Sequence, residues 1–196
     1  GYNEDEKLEA INGEAKVALI AAKSAEKELT FEMNVINNYE NTLEDVIILG
    51  RTMFKGNRDV DTLQDLGTTM DIPLSSEITT SGIPTENIKI YYSTNANATK
   101  DLTNADNNWK AEVTDYSSIK SYMIVLENYV LQSGSIFKYS FKAKAPANLD
   151  YNNTAYEMYG VYFKNNKSTG TIEDKTIATK IGLETGKEAV IEATLE

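Results

Sequence analysis

Apolar and polar residues alternate along much of this chain. Leu29, Phe31, Met33 and Val35 alternate with Thr30, Glu32 and Asn34, and Asn37-Asn38 follows as a turn. Successive strand residues point to opposite faces, so this pattern predicts a half-buried strand. Val46-Ile47-Ile48-Leu49 is a short apolar run that suits a buried strand. Ile88, Ile90 and Tyr92 alternate after Pro84, and Tyr122 to Leu126 reads as another strand. In SGSIFKYSFKAKAP, Phe137, Tyr139, Phe141 and Ala143 alternate with Lys138, Ser140, Lys142 and Lys144, with Gly134 and Pro146 as punctuation. This puts three lysines on one face, either a basic binding stripe or the wet side of a strand. Strands are also predicted at Ala155–Phe163, at the alternating set Ile177, Thr179 and Ile181, and within Gly186–Leu195.

The runs are separated by clusters such as NNYENT, STNANATKD, TNADNN and KNNKSTG. Asn, Asp, Ser and Gly make turns through side-chain hydrogen bonds and tolerance of left-handed backbone. Many short strands with polar turns, and no long helical crossovers, predict an all-β antiparallel sandwich. Residues 8–29 read either as an amphipathic helix or as a first strand near Lys16–Ala22. Gly13 interrupts the helix, which favours the strand. Residues 54–84 read as an inserted loop region carrying a helical turn near Asp61–Leu66. The expected organisation is a flank at 1–12, a sandwich at 13–182, and a C-terminal strand or the start of a following repeat at 183–196. GEAKV at Gly13 and GKEAV at Gly186 are the echo behind that last reading.

Composition narrows the chemistry. The 196-residue chain is 41% hydrophobic, enough for a core, and carries a formal charge of −11. That field disfavours nucleic acid and anionic membranes as partners. There is no cysteine and no histidine. Disulfides, thiolate metal sites and Ser-His-Asp or Cys-His catalysis are excluded. No Walker or dinucleotide glycine motif occurs. No enzyme activity is expected. The chain starts at Gly1 rather than Met, so a piece of a longer protein is expected, without membrane insertion in this part.

Candidate sites remain. Asp59, Asp61 and Asp65 in NRDVDTLQD offer the oxygen ligands that Ca²⁺ takes. They lack the spacing of a known calcium loop, and a solvated loop is the simpler reading. Ca²⁺ is the only cofactor considered, and none is expected. Trp109, Tyr91 and Tyr116 could form a platform for a sugar ring, or could be core aromatics. Lys16 and Asn152 could form a lysine–asparagine isopeptide cross-link if buried beside an acid.

FEMNVINNYENTLEDVIILGRTM resembles the strand, Asn-rich turn and apolar strand of repeat domains in large Gram-positive bacterial cell-surface proteins. Val35, Asn37, Leu43, Asp45, Val46 and Ile48 carry that likeness. Gly134, Phe137 or Tyr139, Phe141 and Pro146 match a second patch of the same family, and ATKIGLETG is similar to a segment that closes or links such repeats. The resemblance implies an immunoglobulin-like sandwich, extracellular at the cell surface or wall, non-catalytic, acting as a stalk or adhesive module beside tandem neighbours. Its partner would be a host or cell-surface protein or glycan. The alternative is a carbohydrate-binding module accessory to a cell-wall-active enzyme.

Overall fold

The computed structural model describes residues 17–21, 28–146, 152–177 and 181–186, and the backbone alone for 17–21, 181 and 183–186. Ten strands form among the described residues: β1 (Val17–Ala21), β2 (Glu28–Ile36), β3 (Leu43–Arg51), β4 (Thr79–Ser81), β5 (Ile88–Ser93), β6 (Ser121–Leu126), β7 (Ile136–Lys144), β8 (Thr154–Lys167), β9 (Gly170–Ile177) and β10 (Ile181–Gly186). They make an all-β sandwich of two sheets. The larger sheet runs β1-β10-β8-β3-β6-β5, and the smaller runs β2-β7-β4. The long strand β8 serves two neighbours on one edge: Thr154–Glu157 pair with β10, and Gly160–Lys167 pair with β9. Every pairing is antiparallel except β1 with β10.

The two best alternating runs pair with each other. Leu29, Phe31, Met33 and Val35 of β2 stand opposite Ala143, Phe141, Tyr139 and Phe137 of β7. Both apolar sets therefore face the larger sheet, and the Phe31 and Phe141 rings stack at 5.1 Å. A slip of one residue would turn every one of these side chains to water, so burial locks the register. The lysine face of β7 is the solvent side. Lys138, Lys142 and Lys144 are exposed, and Lys142 reaches Glu28 at 3.6 Å. Such half-exposed pairs contribute little stability.

Residues 54–84 are more than an insertion. Met70, Ile72, Leu74, Ile78 and Ile83 belong to the main core. Ile72 bridges Met53, Leu74 bridges Ala143, and β4 adds the third strand of the smaller sheet. The cause is legible in retrospect: Met70, Ile72 and Leu74 alternate with polar Asp71 and with Pro73. The helical turn expected near 61–66 reduces to one bond, from Leu63 N–H to the Asp59 carbonyl at 3.1 Å.

β3 is buried on both faces toward its C-terminal end. Two excursions cover the outer face of the larger sheet. The 94–120 segment is tied down where Ser121 Oγ donates to the Asn95 carbonyl at 2.7 Å, and buries Ala98 and Asn107. The 54–69 segment is held where Asn57 Nδ2 donates to the Tyr156 carbonyl at 2.6 Å.

Asn37 closes the β2–β3 turn. It is fully buried, donates to the Asn41 and Leu131 carbonyls at 2.9 and 3.0 Å, and accepts from Tyr39 N–H at 3.0 Å. Asn37→Ala strands three backbone groups and is expected to cost roughly 2–3 kcal/mol. A urea-denaturation loss below about 1 kcal/mol would contradict this role.

Candidate functional site

A pocket opens on the outer face of the larger sheet, where β3 meets β8 and β9. Its geometry begins with a bulge. The β3–β8 register shifts between Glu44 and Ile47, and Asp45 takes a left-handed φ of 50°. A bulge re-aims side chains, and the Asp45 carboxylate lies 3.0 Å from Lys164 Nζ. In the next row, Ile47, Tyr162 and Lys175 stand side by side on β3, β8 and β9. Lys175 Nζ lies 2.6 Å from Asp61, which reaches in from the 54–69 excursion. Lys100, from the 94–120 segment, sits 5.5 Å from the centre of the Tyr162 ring. The cavity holds about 400 Å³.

The charges respond to this arrangement. Hydrogen bonding to Asp45 raises the Lys164 pKa, and hydrogen bonding to Asp61 raises that of Lys175. Burial raises Tyr162, with Asp61 adding to the effect. Beneath the excursions lies Arg51, 1% exposed. Burial pushes its pKa down to about 10, with Tyr162 and then Asp59 pulling it back up. Its Nη1 donates to Ser121 Oγ at 2.9 Å, while Nε has no hydrogen-bond partner among the described residues.

A second titratable group is sealed between the sheets. Glu157 faces inward from β8 and is fully buried. Desolvation pushes its pKa up to about 8, and the neighbouring Tyr122 hydroxyl pulls it partly back. Among the described residues, neither carboxyl oxygen has a well-formed hydrogen bond. The surroundings are phenolic. The Tyr122 and Tyr139 hydroxyls share a 2.9 Å hydrogen bond, and Tyr159 packs edge-on against Tyr139 at 5.6 Å. Burial drives the Tyr122 and Tyr139 pKa values well upward.

Two of the aromatic candidates, Tyr116 and Tyr91, lie on opposite faces. Tyr116 packs edge-on against the core residue Tyr92 at 5.3 Å. Tyr91 precedes Tyr92 in β5 and so points to the opposite face. Trp109 is half-buried, and its indole N–H donates to the Thr99 carbonyl at 2.8 Å, beside Lys100. The acidic trio is engaged locally. Asp59 accepts from Asp61 and Thr62 N–H, Asp65 accepts from Gly67 N–H, and Asp61 pairs with Lys175. Among the described residues, no three Asp or Glu side chains converge as a metal ion requires. Asn152 is exposed in the turn before β8, and Lys16 lies outside the described residues.

Glu157 carried a signal that the reading of the sequence passed over. It is the one acid in AYEMYGVYF, and period two puts it on the same face as Ala155, Tyr159, Val161 and Phe163. The pocket carried none, because Lys100, Tyr162 and Lys175 meet only through the fold.

Among the described residues, no helix is long and apolar enough to cross a membrane. No family model and no curated protein matches the chain. Solved structures overlay it loosely. A protein described as membrane anchored, from Corynebacterium diphtheriae, aligns at TM-score 0.41 and 13% identity, covering 82% of this chain and 31% of that one. AggA, the major subunit of aggregative adherence fimbriae type I from Escherichia coli, aligns at 0.38 and 11%, covering 88% and 91%. The collagen-binding domain of a Staphylococcus aureus adhesin aligns at 0.35 and 13%, covering 87% and 95%. The fold assignment rests on the strand pairing itself.

Proposed function

We propose that this protein is a non-catalytic adhesive module displayed on a bacterial cell surface. The observation that carries the non-catalytic reading is where the perturbed groups sit. Glu157, Tyr122 and Tyr139 are sealed in the core, out of reach of a substrate. The pocket carboxylates Asp45 and Asp61 are tied up by lysines. In the pocket, Lys164, Lys175 and Tyr162 are shifted upward, away from the neutral range that suits a general acid or base, while Glu157, the carboxyl moved toward neutrality, is sealed away. A rigid sandwich bearing long excursions on one face suits recognition instead. The surface location, the Gram-positive source and the tandem neighbours follow from the resemblance of the Asn-rich turn and the β7 patch. The accessory sugar-binding alternative, as built on Trp109, Tyr91 and Tyr116, is disfavoured because Tyr91 and Tyr116 face opposite ways.

The test is direct. Beads coated with the protein are expected to adhere to host cells or extracellular matrix, and beads coated with a heat-denatured sample are not. Equal retention of both would remove the adhesive reading.

A further inference from the structure

We propose that the pocket between β3, β8 and β9 binds a neutral saccharide, an inference that rests on the adhesive reading and gives it a ligand class. Tyr162 and Ile47 form a partly apolar floor. Around it stand three ammonium groups, on Lys100, Lys164 and Lys175. Carboxylates on Asp45 and Glu173 share this face, a third, on Asp61, reaches Lys175, and Phe163 and Asp174 add to the lining from the row between.

That balance selects the ligand by exclusion. An anion would meet three carboxylates, in a chain whose formal charge of −11 repels it on approach. A cation would meet three lysines. A purely apolar ligand would desolvate the Lys164–Asp45 pair and offer nothing in return. An uncharged polyol fits both signs at once. Its hydroxyls accept from the ammonium groups and donate to the carboxylates. Its C–H face lies against the aromatic and aliphatic floor, as mixed pockets of this size allow.

Two details make this more than a surface groove. Asp45 holds a strained left-handed backbone at the bulge, which aims its carboxylate at Lys164. Among the described residues, Lys100 is the pocket lysine with no carboxylate ion-pair partner, and its ammonium faces the Tyr162 ring, within reach of a ligand hydroxyl. Trp109 has a positioning role here, because its indole fixes the Thr99 carbonyl next to Lys100.

The test is a ¹H–¹⁵N NMR titration of the whole chain with glucose, galactose, mannose, N-acetylglucosamine and lactose, and with sialyllactose as the anionic comparator. At least one neutral sugar is expected to shift amides at Ile47, Lys100, Tyr162 and Lys175. Tyr162→Ala and Lys100→Ala should each weaken that binding roughly tenfold. Tyr162→Phe, which keeps the ring, should lose less. Ile136→Ala, on the smaller sheet, should change nothing. The proposal is overturned if no neutral sugar shifts these amides at tens of millimolar, if the shifts lie elsewhere, or if sialyllactose alone binds. The two readings fail separately. Bead adhesion that survives Tyr162→Ala leaves the adhesive reading and removes the pocket as its basis. Tyr162-dependent sugar binding without adhesion does the reverse.

Discussion

Glu157→Gln is expected to flatten the pH dependence of stability and to raise the melting temperature most at alkaline pH. The folded-state pKa of Glu157 is about 8, against 4.5 for the free side chain. Below pH 4.5 both states hold the proton, and the group adds no pH dependence. Between 4.5 and about 8 the unfolded chain ionises while the folded chain keeps the proton. The folded state then binds more protons, so stability falls as pH rises, by about 1.4 kcal/mol per pH unit. Above about 8 both states are ionised and the loss levels off, at roughly 5 kcal/mol in total. The chain has no histidine to add a titration of its own inside this window. Urea midpoints at pH 5, 6.5 and 8.5 measure the effect. Wild type should weaken steadily across them while the glutamine variant stays nearly level. Parallel profiles would refute a buried, protonated Glu157. Glu157→Met, close in volume and free of unpaired polar atoms, should also be more stable than wild type at pH 8.5.

The second large effect is steric. Gly50 faces the core from β3, paired with Tyr122 of β6 on one side and Tyr159 of β8 on the other. A Cβ added at Gly50 would overlap the phenol end of Tyr122, at Cζ, Oη and Cε1. Tyr122 has nowhere to go. It is fully buried, hydrogen-bonded to Tyr139, and packed against the Tyr139 and Phe141 rings. Gly50→Ala should therefore cost about 3 kcal/mol or more, the upper range for overpacking. Against a usual margin of about 5–15 kcal/mol, that is a large fraction of the stability. Denaturant unfolding of Gly50→Ala, Tyr122→Leu and the double variant tests the cause. The double variant should be clearly more stable than the sum of the single losses predicts, since leucine clears the space. Additive losses, or a Gly50→Ala cost below about 1 kcal/mol, would place the clash elsewhere.

The strands of the sandwich were legible because burial leaves a period-two imprint. β2 and β7 appear residue for residue in the alternation of 29–35 and 137–143. β3 was visible as an apolar run, although its cause is different. The run is continuous because the 94–120 and 54–69 segments cover the sheet's outer face. β4 was not legible, since three residues of Thr and Ser carry no apolar signature. Its place comes from pairing with β7 at Ser140, Tyr139 and Lys138.

The candidate residues divide in the same way. The lysine stripe on β7 was resolved by local periodicity, which puts Lys138, Lys142 and Lys144 on the wet face. Tyr91 and Tyr116, chosen for chemistry alone, fell on opposite faces, because composition says nothing about direction.

The sequence by itself determined the class of this protein: an acidic, cysteine-free and histidine-free β-sandwich with Asn-rich turns. Those properties are local, each carried by a residue's own type or by its neighbours two positions away. Only the tertiary structure decided which groups work together. Lys175 meets Asp61 across 114 positions, and Lys100 reaches the Tyr162 ring from another excursion. Glu157 and Tyr122 come together across β3 within the larger sheet, and Tyr139 joins them from the smaller one when the sheets close. Such meetings depend on register and on loop paths over the sheet, and strand pairing carries that information between distant segments without leaving a pattern in either one.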